Sequence, residues 1–297
     1  MIVIILNNLL NILKYIKIYF NIIKPGIIFG NALSFLGGFF LSSHGQINFF
    51  LLFISFLGTI FIISSGCVFN NIIDRDIDKK INRTKNRVLV TRLISLNHAY
   101  FFACSLGFIG FLILFFFTNK IVFFIGLFGF VIYVVIYSLL MKRYMPYATL
   151  VGSMAGSSPV LMGYETVTNE INCCFFILFL ILTFWQIAHF YSIAIFRIED
   201  YRKINIAVFS ISNGVALTQL YILINILIFI MFISLLFCLK YVGSNYLIIT
   251  LFFSFIWFFI TLIGCFQDNK AKWSRLSFFF SIIVICIFNL MIGLDSK

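Results

Sequence analysis

Apolar and polar positions in this chain alternate in long blocks rather than residue by residue. Apolar runs of about 20 residues recur along the whole length, with short polar segments between them. Such a run spans the ~30 Å core of a bilayer as a helix, which satisfies every backbone group internally. The pattern predicts an all-α polytopic membrane protein with nine transmembrane helices, at about 26–43, 47–70, 96–117, 120–140, 147–164, 172–196, 214–239, 244–266 and 276–294.

The first 24 residues are apolar but do not match a membrane span. Their apolar run is interrupted by polar residues, among them those at positions 7, 8, 11, 14, 17 and 24. We predict an interfacial amphipathic segment over 1–24 and an intramembrane domain over 25–297. A basic n-region followed by an A-x-A site is missing, so no cleaved signal peptide is expected.

The charge distribution supports this topology. Hydrophobic residues make up 63% of the chain and charged residues 10%, whereas soluble domains are about a quarter charged. With the N-terminus in the cytoplasm, 18 of the 21 Lys and Arg residues fall on the cytoplasmic side, and only Lys120, Lys240 and Lys297 lie outside. The net charge of +12 is therefore a topological signal, and we expect no nucleic-acid partner.

The long polar connections 71–95 and 197–213 lie on that same side, so we expect the functional groups there. The seven cysteines form no C-x-x-C pair and lie mostly within or at the ends of apolar segments. We predict that they are small buried hydrophobes rather than metal ligands or disulfides.

One acidic stretch follows the second predicted span. Asn70, Asp74 and Asp78 are spaced i, i+4, i+8, so a continuing helix would place them in one stripe. Two carboxylates and an amide oxygen suit Mg²⁺. Because the C-terminal end of a helix disfavours anions, a metal ion or nearby cations must compensate. A solvated mixed-charge loop is the other interpretation.

Three further clusters share the cytoplasmic side. Arg83 and Arg87 are four residues apart and suit bidentate binding of phosphate oxygens, and Lys142-Arg143 closes the fourth span. Membrane anchoring by positive charge is the other interpretation of both clusters, and it is the favoured one for the arginine pair taken alone. The third cluster contains His189, Arg197, Glu199 and Asp200. His189 lies about two turns inside the membrane edge, where a histidine serves as a helix–helix contact, as a contact to an acceptor substrate, or as a haem iron ligand.

Together these strings resemble a known family. Asn70-x3-Asp74-x3-Asp78 with Arg83-Thr84-x2-Arg87 resembles the first acidic signature of the intramembrane aromatic prenyltransferases, the UbiA superfamily. Tyr137 with Lys142-Arg143, Thr149 and Gly152 is similar to its middle motif. Lys24-Pro25-Gly26, Asn86-Arg87-Val88-Leu89, Trp185-Gln186-x2-His189 and Arg197-x2-Asp200-Tyr201 resemble its haem-directed members. The likeness covers residues 24 to about 215, and the layout of spans extends it to the end.

The resemblance implies a bundle around a central cavity that opens to the cytoplasmic side of a bacterial inner membrane. It implies transfer of a farnesyl group from farnesyl diphosphate to a vinyl group of protohaem IX, with Mg²⁺ as cofactor and the lipid bilayer as surroundings. Contact with haem-handling oxidase assembly proteins is a further expectation. The roles implied for matching positions are metal binding by Asn70, Asp74 and Asp78, catalysis by Asp74, Asp78 and Asp200, and substrate binding by Arg83, Arg87, Lys142, Arg143, His189, Arg197 and Glu199.

The chain departs from the family pattern at two places. Arg197 and Asp200 stand where the general superfamily has a second Asp-x3-Asp signature, and Ala207 and Ser210 replace the usual prolines, which loosens a loop. The alternative enzyme is a prenyltransferase with a quinone-precursor or chlorophyll-type acceptor. Two aspartates four residues apart in the second cluster would favour that alternative. A transporter would instead show ionisable residues or helix breaks near the bilayer midplane.

Overall fold

The computed structural model describes residues 13–297, and the first half of the predicted interfacial segment 1–24 lies outside this range. Helix α1 covers residues 13–22, and Lys14 and Lys17 on it are exposed. The remaining helices are α2 (Pro25–Ser43), α3 (Phe49–Ile73), α4 (Arg75–Asp78), α5 (Leu96–Phe117), α6 (Lys120–Phe130, continued as a π-helix over Val131–Met141), α7 (Ala148–Ala155), α8 (Ser158–Thr168), α9 (Cys173–Phe196), α10 (Ile198–Lys203), α11 (Phe209–Ser212), α12 (Val215–Cys238), α13 (Ser244–Phe266) and α14 (Lys270–Leu294).

The all-α membrane architecture is confirmed, and the predicted number of spans is consistent with the structure. Eight helices in the described part of the chain are long and apolar enough to cross a bilayer. The fifth predicted span is divided into α7 and α8, which together are about 30 Å long. Its composition explains the division, since Gly156 and Ser157 fall at the junction and the side chain of Gln186 packs against the Gly156 backbone.

The fourth span changes its helical form halfway along. From Val131 to Met141 the backbone is π-helical, and the amide of Lys142 still donates to the Tyr137 carbonyl, five residues earlier. π-Helices are rare and are found mostly at functional sites. Here the wider turns determine where Tyr137, Ser138 and Lys142 lie at the cytoplasmic end.

The most densely packed part of the core lies in the centre and outer half of the bundle. Its largest buried side chains include Trp257, Tyr246, Phe229 and Phe288, which pack edge to face with ring centroids 6.1–6.2 Å apart. Aromatic pairs of this kind add about 0.5–1.5 kcal/mol beyond their buried area. This core fixes the helices at their outer ends.

Helix α2 is packed closely only in the half that ends at Ser43. A Cβ at Gly38 would lie 2.0 Å from the Val160 carbonyl oxygen, and one at Gly163 would lie 2.0 Å from the Phe35 carbonyl oxygen. In the half that begins at Pro25, a Cβ at Gly30 would meet nothing within 4 Å. The neighbouring helices therefore pack against α2 more closely near Ser43 than near Pro25.

Two further polar contacts join the helices of the bundle. The Asn289 amide on α14 donates to the Ser34 hydroxyl on α2 at 3.1 Å, which joins the first span to the last. Asp295 accepts from the Tyr246 amide at 2.7 Å and thereby caps α13. A single bridge between Val242 and Ser296 is the one β interaction in residues 13–297.

The prediction for the cysteines was partly wrong. Only Cys67 and Cys174 are buried, whereas Cys104, Cys173 and Cys238 are exposed on helices that cross or border the apolar zone. Lipid is as apolar as a protein core, so an outward-facing thiol costs little there. All seven are free thiols.

The contact between α2 and α8 gives a stability prediction. We expect Gly163→Ala to lower the free energy of unfolding by about 1–3 kcal/mol, because the added methyl group would overlap the backbone of α2. Gly30→Ala is the matched control, and it should be neutral or stabilising by up to about 1 kcal/mol because alanine favours the helix. Denaturant unfolding of the detergent-solubilised protein measures both. Equal losses in the two variants would contradict this account of α2 packing.

Candidate active site

The acidic stripe forms although the helix that was expected to carry it is interrupted. Helix α3 ends at Ile73, and Asp74 is its C-cap. The Asp74 amide nevertheless donates to the Asn70 carbonyl at 2.9 Å, and the Asp78 amide donates to the Asp74 carbonyl at 2.8 Å. This i→i+4 pattern keeps Asn70, Asp74 and Asp78 aligned, and all three are at most 5% exposed.

Cations from three separate segments neutralise this stripe. Lys142, which follows the π-helical segment, pairs with Asp74. Arg87, from the loop after α4, pairs with Asp78 at 2.5 Å. Lys24, which precedes α2, donates to the Asn70 side-chain oxygen. Buried carboxylates need such partners because an unpaired buried charge costs several kcal/mol.

Lys24 was not among the residues proposed for the site from the sequence. Burial lowers the pKa of Lys24 to about 8, and repulsion from Arg87 and Lys142 acts in the same direction. In the sequence it was named only as part of the Lys24-Pro25-Gly26 string at the start of the first span. Three cations thus converge on two carboxylates, which leaves an excess of positive charge suited to an anion.

The amide and hydroxyl groups around the stripe position it. The Asn70 amide donates to the Ser138 hydroxyl at 3.0 Å, and the neighbouring Asn71 amide donates to the Ile22 carbonyl at 2.7 Å. The Tyr133 and Tyr137 rings are stacked with centroids 6.2 Å apart, and the Lys142 ammonium lies 5.9 Å above the Tyr137 ring. The polar site therefore borders an aromatic surface.

Arg143 is directed to a different carboxylate from Lys142. Its guanidinium binds Asp76 through two bonds of 2.7 and 2.9 Å and also donates to the Ile73 carbonyl at the end of α3. The hydrogen bonds from Arg143 hold the pKa of Asp76 below its usual value. The structure thus shows Arg143 stabilising the end of α3, next to the stripe rather than within it.

The second cytoplasmic cluster lies close to the first. The Arg197 guanidinium is 3.5 Å from Asp200, whereas Glu199 is 70% exposed and pairs with Arg202 at 2.7 Å. Burial lowers the pKa of Arg83, and repulsion from the nearby Arg197 and Arg87 adds to this. Arg83 belongs to the first cluster and lies near Arg197 of the second, so the two cationic clusters adjoin at Arg83.

Tyr201 also lies between the two clusters and was named only as part of a motif in the sequence. Burial raises the pKa of Tyr201 above its usual value, although the nearby cations Lys142, Arg83 and Arg197 act in the opposite direction. A tyrosine between these cations can donate a hydrogen bond to an anion that they bind.

His189 lies deeper in the bundle. Its Nδ1 is 2.7 Å from the Ser281 hydroxyl on α14, and its ring is stacked on Trp185 with centroids 4.9 Å apart. The helix–helix contact that was one interpretation of this residue is therefore present. That contact uses Nδ1 only and leaves the other ring nitrogen, Nε2, for a second contact.

The donor set of the stripe fits a hard divalent cation. The Asp74 Oδ1 atom is buried and has no hydrogen-bond partner within residues 13–297. No group of three His, Cys, Asp or Glu residues suited to a metal occurs in residues 13–297, so the two carboxylates need the Asn70 oxygen and oxygens from a ligand. One or two carboxylates completed by phosphate oxygens are typical of Mg²⁺ sites.

Comparison with known proteins adds to this picture. The model of the UbiA prenyltransferase family matches residues 31–283. A protein of Serratia proteamaculans named protoheme IX farnesyltransferase is 42% identical over 280 residues, which cover 94% of this chain and 95% of that protein.

Solved structures show the same fold at lower identity. A digeranylgeranylglyceryl phosphate synthase has a TM-score of 0.80 at 20% identity, covering 95% of this chain and 98% of that one. A UbiA homologue from Archaeoglobus fulgidus, bound to DMAPP and Mg²⁺, has a TM-score of 0.69 at 16% identity and covers 90% and 98%.

The buried pair of Lys142 and Asp74 gives a prediction for the metal-free protein. We expect Lys142→Ala to lower the free energy of unfolding by about 3–5 kcal/mol, because the Asp74 carboxylate is left buried without its cation. Adding Asp74→Asn should recover most of that loss, since the uncompensated charge is removed. Denaturant unfolding of the wild type and both variants in the presence of a chelator measures these losses.

Asp76→Asn is the control for this experiment, because it breaks an ion pair whose carboxylate is 63% exposed. Its cost should stay below about 1 kcal/mol. Equal losses for Lys142→Ala and Asp76→Asn, or no recovery in the double variant, would contradict the role given to the buried pair.

Proposed function

The chain belongs to the UbiA prenyltransferase family, and from that premise we propose that it transfers a farnesyl group from farnesyl diphosphate to a vinyl group of protohaem IX. The observation that carries the proposal is the 42% identity to the Serratia farnesyltransferase over 94% of this chain. The chemistry of the site supports it, because carboxylates, an amide and an excess of cations meet where a diphosphate would be held.

We assign Asn70, Asp74 and Asp78 as the metal ligands. The fit rests on hard oxygen donors and on the unpartnered Asp74 Oδ1. Bound Mg²⁺ would supply neutralisation of the charge that builds on the leaving diphosphate. We therefore assign Asp74 and Asp78 as catalytic, because they would hold the ion that neutralises this charge.

The cations around the stripe are assigned to the diphosphate. Arg83, Arg87, Lys142 and Arg143 are the proposed ligands of its oxygens, and Lys24 joins them on the geometry described above. Because Lys142 and Arg87 pair with the carboxylates in the free protein, they are already oriented towards the site before substrate arrives. A preorganised site of this kind avoids reorganisation during bond cleavage.

The apolar surroundings suit the farnesyl chain. The loosely packed cytoplasmic half of α2 leaves room beside the site, and the stacked Tyr133 and Tyr137 rings border it. Aromatic faces stabilise an allylic cation by about 0.5–2 kcal/mol per contact when water is excluded.

On the acceptor side, the new bond forms between the vinyl carbon and the farnesyl carbon that leaves diphosphate. Water then adds to the cation next to the porphyrin and releases a proton. We assign that proton to Asp200, which Arg197 holds at 3.5 Å. His189, Arg197 and Glu199 are the proposed acceptor-binding residues.

The same proposal covers location and partners. The chain is an integral membrane protein, and we place it in the bacterial inner membrane with the N-terminus and the site on the cytoplasmic side, as the 18 to 3 charge distribution indicates. Contact with haem-handling oxidase assembly proteins and the division at residue 24 stay predictions.

A transporter would account for one feature of the structure, the break between α7 and α8 near the bilayer midplane. That break is occupied by the Gln186 side chain, however, and the charged stripe lies at the cytoplasmic helix ends rather than at the break. Family membership and the position of the carboxylates both favour the transferase.

The central test is a product assay. Membranes that contain the protein are incubated with protohaem IX, farnesyl diphosphate and Mg²⁺, and the extracted haems are analysed by mass. We expect farnesylated haem, and we expect Asp74→Asn or chelation of the metal to lower its formation by about 100-fold or more, since one preorganised electrostatic group is worth that much. Asp76→Asn is the matched control and should keep most of the activity. Full activity in Asp74→Asn would overturn the assignment.

The second cluster gives a separate prediction. Asp200→Asn should lower kcat by about 100-fold, because a proton acceptor is lost. Glu199→Gln should leave kcat unchanged and raise KM for the haem only, since this exposed residue binds without taking part in proton transfer. Steady-state kinetics on the two variants distinguishes them, and similar kcat values would refute the role given to Asp200.

A further inference from the structure

His189 is fixed more firmly than a packing contact requires. Trp185 Nε1 donates to the Ser281 carbonyl at 2.8 Å, so Trp185 and His189 are both attached to the same residue of α14. The Phe278 ring centroid lies 4.8 Å from that of the imidazole, at an interplanar angle of 45°. The imidazole is therefore held by contacts with two aromatic rings and one hydroxyl group.

The hydrogen bonds determine which nitrogen of His189 carries the proton. The Ser281 Oγ atom lies 2.6 Å from the Phe278 carbonyl oxygen, and two oxygens at that distance require a proton between them. A hydroxyl has one proton, so Ser281 donates to Phe278 and accepts from His189 Nδ1–H. Nε2 is consequently the nitrogen that carries the free lone pair.

Within residues 13–297 no protein atom forms a hydrogen bond with the other ring nitrogen, Nε2, and it is not among the fully enclosed polar atoms that lack a partner. A neutral imidazole whose other nitrogen donates to a fixed acceptor is the arrangement that histidine ligands of metals adopt. The Ser281 hydroxyl is fully buried, so this acceptor is permanent.

An aromatic surface connects this imidazole to the catalytic cluster. The Phe278 ring lies 5.4 Å from Phe196, and the Arg197 guanidinium lies 4.7 Å above the Phe196 ring. His189 precedes Arg197 by eight residues, which is about 12 Å along the helix. A flat conjugated ring that spans this distance would be in contact with aromatic faces throughout.

We propose that His189 Nε2 is an axial ligand of the iron of the acceptor haem, with Trp185, Phe278 and Phe196 as the surface beside the ring. This inference rests on the proposed function, because it takes protohaem as the acceptor. Ser281 is a positioning residue, since it acts through His189. Iron coordination fixes the centre of the ring and so limits which peripheral group reaches the farnesyl carbon.

Haem binding tests the proposal without catalysis. Ferric protohaem is titrated into the full chain in detergent or nanodiscs, and the absorption and electron paramagnetic resonance spectra are recorded. We expect imidazole-ligated iron in the wild type and loss of that signature in His189→Gln, whose side-chain amide can still donate to Ser281. Ser281→Ala should weaken haem binding by about 10- to 100-fold, as the loss of an outer hydrogen bond to a metal ligand does.

Metal-free protoporphyrin IX separates coordination from packing. We expect His189→Gln to weaken binding of the iron form while binding of the metal-free form stays at the wild-type level. Free imidazole should restore the ligated spectrum in His189→Gly. His98→Gln and His44→Gln change the other two histidines of the chain and should leave all spectra unchanged.

Two results would overturn the proposal: an unchanged iron spectrum in His189→Gln, or equal weakening for the iron and the metal-free porphyrins. Failure of the proposed function is recognised independently by the product assay. If the wild type makes no farnesylated haem but shows ligation dependent on His189, the transferase proposal fails and the ligand assignment stands. If product forms and the spectra do not depend on His189, the transferase proposal stands and the ligand assignment fails.

Discussion

The site depends on the neutralisation of two buried carboxylates at the cytoplasmic end of α3. Neither Asp74 nor Asp78 is stable there alone, because the helix end is itself negative and water is largely excluded. Their cations come from the segment after the π-helix and from the loop after α4, while Lys24 reaches the adjacent Asn70 from the start of α2. Three parts of the chain are thus brought to one point by electrostatics, whereas apolar packing holds the outer half.

This division of labour explains the shape of the bundle. The outer half is closed by large aromatic side chains and by backbone contacts at Gly38 and Gly163. The cytoplasmic half is held by ion pairs and hydrogen bonds, which leave space around α2. Ion pairs can exchange partners for an incoming diphosphate, while a packed apolar core cannot open without losing its contacts. A rigid scaffold and an adaptable site are therefore combined in one set of helices.

Much of the fold could be predicted from the sequence because hydrocarbon thickness and the charge rule act on each span separately. Eight spans were predicted within a few residues of their observed ends, apart from the start of α14, which begins at Lys270 instead of 276. The division of the fifth span and the π-helical part of the fourth depend on neighbouring helices and left no periodic signal. The stripe was predicted from spacing, whereas Lys24 and Tyr201 are brought to the site by tertiary contacts that spacing does not encode. The spacing likewise predicted the depth of His189 in the bundle. It could not predict the hydrogen bond of His189, because its partner Ser281 is 92 residues away.

The hydrogen bond between Ser34 and Asn289 has a consequence for how the protein is made. The two residues are 255 positions apart, and a ribosome that adds about 5–20 residues per second needs roughly 10–50 s to cover that distance. During this interval the first span resides in the bilayer without one of its two main neighbours. A chain released early, before residue 270, would therefore be an open bundle rather than a smaller closed one. Membrane quality control could recognise it by the unpaired polar face of its first helix.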